Sequence, residues 1–129
     1  MIDRQWNLKD VMGHVFAYLE LHLRHVQSYK KRKRLASPRA PSYSHFNRRE
    51  AERLCAVPLA QLRRDMDAAY RDLRALMPTL TAEDLKKQFP AQWTNSKYKT
   101  TLRYQLRSMA EHLQIHAREV IEWRKNVNK

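Results

Sequence analysis

Apolar side chains recur at steps of three and four residues in three long stretches of the chain, which is the period of an amphipathic helix. The stretches cover residues 7–29, residues 58–77 and residues 98–125. The last of them carries a core stripe at Leu102, Leu106, Met109, Leu113, His116, Val120 and Trp123. The pattern predicts three main helices and places one histidine, His116, in a core position.

Helix start signals add shorter elements to this picture. Asn7 opens the first stretch and is followed by an acid, Asp10, at the third helical position, which is the arrangement of a capping box. The same signal at Asn47 predicts a short helix that starts there, and Thr81 predicts a further brief helix. Pro58 indicates a break before the second long stretch. Residues 89–97 are expected to form a loop ahead of the last helix.

The composition indicates an all-α protein. The 129 residues include one glycine, and hairpin turns prefer glycine, whereas the abundant Leu, Ala, Arg, Lys, Glu and Gln favour helices. This length suits one domain, so we expect residues 1–129 to form a single helical bundle. No apolar run reaches the roughly 20 residues of a membrane span, and no signal peptide is recognisable. We therefore expect a cytoplasmic protein that does not enter a membrane.

The chain has a single cysteine, Cys55, which cannot form an internal disulfide. Cys55 falls at helical spacing from Ala51 and Leu62, so we expect a thiol that packs in the core and takes no part in catalysis. A chain with one cysteine also fits a reducing compartment.

Basic residues dominate the charge of the chain. Its net charge is +13 and its isoelectric point is near 10.3, which suits nucleic acid, an anionic membrane surface or an acidic partner equally well. Residues 30–34 form an unbroken basic run at the end of the first helix. Cations at this position complement the negative end of the helix dipole. We favour this structural role over a nucleic-acid contact, because no aromatic residues that could stack on bases are interleaved with the run. Weak, nonspecific nucleic-acid binding is the alternative.

Histidines are the candidate chemistry of the chain. One glycine excludes a glycine-rich phosphate loop, and no serine or cysteine has the surroundings of a nucleophile. His112 and His116 lie one turn apart on the last helix, so both rings project from nearly the same side and can hold one metal ion. A third ligand must come from another segment. His14 lies at the flank of the first helix, where it can face a neighbouring helix or, as is commoner for one histidine, water.

Three sequence features together resemble the DinB-like superfamily and, within it, the ClbS/DfsB-type four-helix bundles. They are Trp6-x3-Asp10-x3-His14, Tyr43-x2-Phe46-Asn47, and Glu111-His112-x3-His116 followed by Ile121-x-Trp123. The resemblance implies an up-down-down-up bundle in which His14, His112 and His116 bind a divalent metal such as zinc, nickel or iron. Tyr18, Tyr43 and Asn47 are the candidate substrate-binding residues beside this site.

The resemblance implies a protein that acts on, or sequesters, a reactive small molecule. Such a protein would be a hydrolase, a thiol transferase or a self-protection protein. Three neutral imidazoles with an open fourth position form a chemically sensible catalytic site, because the ion can lower the pKa of bound water or activate a thiolate. The alternative is a non-catalytic basic helical module, associated with nucleic acid, in which the histidines are relics. The sequence leaves open whether the chain is an enzyme.

The chain departs from these relatives in two respects. They carry a further long helix ahead of the Trp6 motif, so we expect three main helices here, in a bundle truncated at its N-terminal side. The wide apolar face of the first helix would then be exposed, which predicts a homodimer or a sticky monomer. Met109 and Leu113 stand where relatives often have threonine and tyrosine, which predicts a less polar pocket. Helix capping explains Asp10 and Asn47 without a further role.

Overall fold

The computed structural model describes residues 6–36, 40–90 and 99–127, and it confirms the predicted all-α class. Its elements are α1 (Leu8–Arg32), α2 (Tyr43–Leu54), α3 (Leu59–Leu76), α4 (Ala82–Lys86), β1 (Phe89–Pro90), β2 (Lys99–Thr100) and α5 (Leu102–Val127). A short 3₁₀ turn, Met77–Thr79, follows α3. Across the described residues, none of the helices combines the length and the apolar character needed to cross a membrane.

Helix α1 begins where the sequence predicts. The Asn7 side chain accepts a hydrogen bond from the backbone N–H of Asp10, and the Asp10 carboxylate accepts one from the backbone N–H of Asn7. This capping box satisfies N–H groups that the start of a helix leaves without intrahelical partners. The helix continues past the predicted end, Tyr29, to Arg32. It stops there because Lys33 takes the left-handed conformation, with φ 58°, and its N–H donates to the carbonyl of Tyr29.

The start of α2 corrects the sequence prediction. The helix begins at Tyr43, and its N-cap is Ser42, whose hydroxyl accepts a hydrogen bond from the backbone N–H of His45. Asn47 therefore lies inside the helix and does not cap it. Because N–H groups inside a helix are bonded to preceding carbonyls, the Asn47 side chain finds its partner on another helix.

Helices α3 and α4 agree more closely with the sequence. Pro58 occupies the N-cap position of α3, a boundary where its missing N–H breaks no helical hydrogen bond. Leu62 and Leu73 of the predicted seam are each 1% exposed. Helix α4 is capped by Thr81 through a second capping box, in which Asp84 is the acid. The proline break and the second cap were thus predicted correctly.

Helix α5 starts later than predicted. Residues 99 and 100 pair with Phe89–Pro90 in a two-stranded antiparallel sheet and do not form a first helical turn. The Thr101 hydroxyl then accepts a hydrogen bond from the backbone N–H of Tyr104 and caps the helix that begins at Leu102. The side chain of Phe89 is buried and anchors the strand pair. Residues 91–97 of the predicted loop, and residue 98 at the predicted helix start, lie outside the described residues.

Helix α1 lies at the centre of the fold. It packs against α2, α3 and α5, and its apolar side chains are buried, among them Phe16, Leu19, Leu23 and Val26. The prediction that α1 leaves a broad apolar face exposed is therefore wrong. Its wide stripe is explained by three neighbouring helices, which together cover more of the circumference than one partner would.

Exposed apolar side chains lie instead on the flanking helices. On α3, Leu59 and Tyr70 are 45% and 52% exposed and share one side of the helix, and Met77, in the 3₁₀ turn that follows, is 44% exposed. On α5, Ile121 and Trp123 are both about half exposed. The predicted core stripe of α5 is thus buried in its first half and open towards its end.

Cys55 is exposed, so the prediction of a core thiol is wrong. Helix α2 ends at Leu54, which makes Cys55 the C-cap residue and removes it from the helical stripe on which the prediction rested. Its thiol donates a hydrogen bond to the backbone carbonyl of Glu52.

Candidate metal centre

Two helices bring three histidine rings together. His14 lies near the start of α1, and His112 and His116 lie on consecutive turns of α5. The Nε2 atom of His112 is 3.0 Å from Nε2 of His14 and 2.8 Å from Nε2 of His116. One ring nitrogen from each residue lies within 4.8 Å of the others, close enough for all three to hold one ion. His14 thus joins the α5 pair, as expected from the sequence, and metal binding by the three residues stays a prediction.

Aromatic rings surround the three imidazoles. The ring of His14 packs edge-on against those of His112 and His116, with centroids 4.8 and 4.9 Å apart. The Trp6 ring lies 5.0 Å from His14, and the Tyr18 ring lies 5.1 Å from His14 and 5.0 Å from His112. Tight packing restricts the rotamers of these side chains, so the ring nitrogens are held in place before any ligand arrives.

Burial keeps the three imidazoles neutral. Loss of solvation, reinforced by the neighbouring imidazoles, lowers the pKa of His14 to about 3 and the pKa of His112 to about 4. The pKa of His116 is also lowered, mainly by burial. A neutral imidazole has a ring nitrogen lone pair, and a metal ligand must be deprotonated at the atom that binds. The three nitrogens therefore suit a divalent cation at neutral pH.

Glu119 follows His116 by about one turn of α5 and faces the other nitrogen of that ring. Its Oε2 atom lies 3.5 Å from Nδ1 of His116. A carboxylate beside Nδ1 favours the tautomer that carries its proton on Nδ1, which leaves Nε2 unprotonated and directed at the other two histidines. Ligating histidines commonly have such a supporting carboxylate, so Glu119 strengthens the match between these residues and a metal ion.

A cavity of about 380 Å³ opens beside the histidines and is lined by the three residues predicted to bind substrate, Tyr18, Tyr43 and Asn47. The Tyr18 hydroxyl donates a hydrogen bond of 2.6 Å to Oδ1 of Asn47, and its ring stacks on Tyr43. Burial and the neighbouring Tyr43 raise the pKa of Tyr18, so its hydroxyl stays protonated at neutral pH. The structure brings these residues to one wall, and substrate binding by them stays a prediction.

One histidine from an early helix and two from the last helix meet in an all-α fold, and the family model of the DinB superfamily matches residues 2–120. The chain belongs to the DinB superfamily. Members typically have a metal-binding three-histidine motif, and the convergence of His14, His112 and His116 fits that motif. Comparisons with curated proteins and with solved structures found no match.

The residues that flank the paired histidines make this DinB-superfamily cavity partly apolar. Met109 is buried and lines the cavity, and the half-buried Leu113 packs against the core. Polar residues of the same helix also line the cavity, among them Ser108 and Glu111. Met109 therefore presents an apolar surface to the cavity, whereas Leu113 does not line it, and a pocket less polar than that of relatives stays a prediction.

A second cavity, of about 320 Å³, lies between α1 and α2 and includes Trp6, Lys9 and Cys55 in its lining. The Lys9 ammonium donates to the backbone carbonyl of Cys55 and so links the two helices across this cavity. His14 and Asn47 line both cavities. His14 therefore borders open space on two sides, one of which is the cavity beside the other histidines.

Sequence reasoning missed three residues of this region of the DinB chain, namely His22, Gln105 and Glu119. His22 and Gln105 line the cavity, and Nδ1 of His22 donates to a backbone carbonyl one turn earlier on α1. Helical spacing was an available signal for all three: His22 lies about two turns after His14, Gln105 lies two turns before His112, and Glu119 lies one turn after His116. Spacing alone did not show that these sides of α1 and α5 face each other, because that depends on how the two helices pack.

Proposed function

We propose that this protein is a metal-dependent member of the DinB superfamily that acts on, or sequesters, a reactive small molecule. The observation that carries the proposal is the convergence of three neutral imidazoles, those of His14, His112 and His116, beside a cavity of about 380 Å³. Three protein ligands leave positions on a divalent ion for water or substrate, which is the pattern of catalytic sites, whereas structural sites are closed by four.

The residues around the cavity have distinct roles in this proposal. The histidines hold the ion, and zinc, nickel and iron are the candidates. A bound divalent ion supplies Lewis acidity, which lowers the pKa of water or of a thiol. Tyr18, as a protonated hydroxyl, and Asn47 orient the small molecule through hydrogen bonds. The ring of Tyr43, which is 48% exposed, and the side chain of Met109 pack against its apolar part and exclude water.

Within the superfamily we assign the chain to the ClbS/DfsB type, on the spacing of Trp6-x3-Asp10-x3-His14 and Glu111-His112-x3-His116. This assignment favours hydrolysis, thiol transfer or protective capture as the activity.

We propose the cytoplasm as its location because the chain has one cysteine and no disulfide pair. A homodimer is the proposed assembly, supported by the apolar side chains exposed on α3 and α5.

The proposed activity is tested on protein purified without a histidine tag, stripped by a chelator and reloaded separately with zinc, nickel or iron(II). Each form is incubated with a panel of small electrophiles, with and without a low-molecular-weight thiol, and with activated esters. We expect turnover or stoichiometric capture by at least one metal-loaded form and neither by the stripped protein. Mass spectrometry of the products distinguishes hydrolysis, thiol transfer and capture.

Two histidine variants provide a matched control. His112→Ala removes the ring that contacts both other histidines, so it should abolish activity in every metal-loaded form. His45→Ala removes an exposed imidazole on α2 and should leave the activity unchanged. Full activity in the stripped protein, or in the His112→Ala variant, would mean that the three-histidine centre is not the active site.

A further inference from the structure

A basic groove lies towards the end of α1 that is remote from the histidines. Arg24, the first residue of its lining, lies about 15 Å beyond His14 along the helix axis, at about 1.5 Å per residue. The groove has a volume of about 640 Å³ and is lined by Arg24, Gln27, Ser28, Lys31, Arg32, Arg34, Leu35 and Ala36. None of these residues lines either cavity beside His14.

The helix and its C-terminal cap together shape the basic groove. Arg24, Gln27 and Lys31 share one side of α1 at helical spacing. Lys33 has a left-handed backbone, with φ 58°, so the chain changes direction directly after the helix. As a result, Arg34 and the two residues after it form the second wall of the groove.

The charge of the groove is not compensated locally. Four cations line it, and no carboxylate does so among the described residues. Arg24 forms an ion pair with Glu20 at 3.1 Å. In the described part of the chain, no ion pair engages Lys31, Arg32 or Arg34. At least three cations therefore meet at one concave surface with their charges available to a ligand.

The other two cations of the basic run have partners within the protein. The Lys30 ammonium donates to the backbone carbonyl of Thr79, and the Lys33 ammonium lies over the ring of Tyr29. The run at residues 30–34 thus divides into side chains that hold the end of α1 to the fold and side chains that face the groove. The first group makes contacts within the fold, whereas Lys31 and Arg32 complement the end of the helix dipole without an ion-pair partner among the described residues.

We propose that the basic groove binds the phosphate backbone of a nucleic acid, independently of the activity at the histidines. Arginine and lysine side chains donate charge-assisted hydrogen bonds to phosphate oxygens, and Gln27 and Ser28 add neutral donors. No aromatic side chain is in the lining, so the bases have no stacking surface and binding does not depend on sequence. The net charge of the chain is +13, so positive side chains outside the groove also attract a long polyanion. A single phosphate group in the groove would lie too far from most of them to gain this attraction.

An anionic membrane fits the groove less well. Basic helices that lie on membranes insert an exposed apolar face beside their cations. The apolar face of α1 is already used in the core, where Val26 is 0% and Tyr29 is 4% exposed. Leu35, which is half-buried, is the one large apolar residue among those that line the groove.

The binding test is fluorescence anisotropy of a labelled DNA duplex of about 20 base pairs, titrated with the full chain over a series of salt concentrations. We expect affinity to fall steeply with salt and to be equal for a duplex of scrambled sequence. The variant with Lys31→Ala, Arg32→Ala and Arg34→Ala should reduce the slope of log K against log salt by about 2 to 3, because each phosphate contact contributes about 0.9.

A matched control separates the groove from the overall charge. The variant with Arg63→Ala, Arg71→Ala and Arg74→Ala removes the same charge from exposed positions of α3, and its slope should change by less than about 1. Circular dichroism establishes that both triple variants are folded. Arg34→Ala alone, outside the helix, gives a second test with an expected change of about 0.9. His112→Ala should bind the duplex as the parent protein does.

Four outcomes would overturn the proposal. Equal losses in the two triple variants would mean that net charge alone binds DNA. Absence of binding at low salt, or sequence-specific binding that persists at high salt, would contradict contacts to the backbone. Binding to phosphatidylserine vesicles that the groove variant abolishes, without binding to DNA, would identify a membrane surface as the partner.

Discussion

The Nε2 atoms of His14 and His112 lie 3.0 Å apart, although 98 positions separate the two residues in the chain. One is supplied by α1 and the other by α5, so neither helix forms the site alone. A neutral imidazole has one N–H to donate, and burying its nitrogens without strong partners costs free energy. A bound cation would satisfy three such nitrogens at once, which makes metal binding the first property to test.

Replacing His116 by alanine should abolish stoichiometric metal binding, because the two remaining histidines lose the third ligand of the site. Elemental analysis of protein purified without a histidine tag measures the metal content, which should be about one equivalent in the parent protein. His45→Ala, the exposed control on α2, should keep that content. Retention of a full equivalent by His116→Ala would place the metal elsewhere.

Glu119→Gln should weaken metal binding without removing it. The substitution keeps the size of the side chain but removes the charge that lies 3.5 Å from Nδ1 of His116. Loss of such a supporting carboxylate typically costs about 10-fold to 100-fold in metal affinity. Competition with a chelator of known affinity measures the change. Glu122→Gln, whose exposed carboxylate pairs with Lys125, should have no effect, and an equal loss in both variants would exclude a specific role for Glu119.

The hydrogen bond between Tyr18 and Asn47 should appear as coupling in a double-mutant cycle. Tyr18→Phe removes the hydroxyl that donates to Oδ1 of Asn47, and we expect a loss of about 1 kcal/mol in the free energy of unfolding. In the background of Asn47→Ala the same substitution should cost clearly less, because the acceptor is already absent. Urea unfolding measures all four proteins. Additive losses in the free energy of unfolding would indicate that Tyr18 and Asn47 do not interact. Tyr104→Phe, at a side chain that is 61% exposed, is the control for removal of a tyrosine hydroxyl.

Asp84 should make folding sensitive to acid. Hydrogen bonds from the backbone N–H of Thr81 and from the Tyr29 hydroxyl lower the pKa of Asp84 from 3.8 to about 2. The folded state therefore favours the carboxylate, and this contribution is complete above the unfolded pKa and is lost as pH falls from about 4 to about 2. Urea unfolding should show that Asp84→Asn differs from the parent protein near neutral pH and converges with it in strong acid. A constant difference across this range would contradict the assignment. Asp67→Asn, which makes the same change at an exposed position of α3, is the control.

The exposed apolar side of α3 should contribute to self-association. Leu59 and Tyr70 lie on that side and Met77 follows in the 3₁₀ turn, and burying a large apolar side chain stabilises a contact by about 1.5 to 3 kcal/mol. We expect sedimentation velocity to show a concentration-dependent dimer that Tyr70→Arg weakens. Tyr104→Arg changes a comparably exposed tyrosine on α5 and serves as the control. A parent protein that stays monomeric at all accessible concentrations would contradict the homodimer.

Sequence reasoning succeeded where both partners of an interaction are close in the chain. The caps at Asn7 and Thr81 were recognisable because each bonds an acid three residues away. Asn47 has the same local pattern, but Ser42 caps the helix earlier, and the true partner of Asn47 is the hydroxyl of Tyr18 on another helix. Local preference cannot rank two candidate caps when tertiary contacts choose between them.

The candidate site shows the same division between local and tertiary information. Helical spacing predicted that His112 and His116 share one side of α5, whereas His14 joined them only through the family resemblance. Burial was the least predictable property, since it depends on how many elements pack against a helix. The wide stripe of α1 predicts an exposed face, although three helices cover it, and the spacing of Cys55 predicts a core thiol, although Cys55 lies at an exposed helix end.

The position of the histidines on α1 and α5 also affects the mechanics of the chain. An ion bound between His14 and His112 would act as a reversible cross-link that closes a loop across 98 positions, in a protein whose single cysteine excludes an internal disulfide. Doubling the length of a closed loop raises the entropic cost of closure by only about 0.6 kcal/mol, so the long separation in sequence opposes such a cross-link only weakly. Chelation would therefore weaken the attachment of the last helix to the central one without releasing it, because Leu102, Leu106 and Met109 of α5 stay buried in the core, and metal supply would set the local stability of α5.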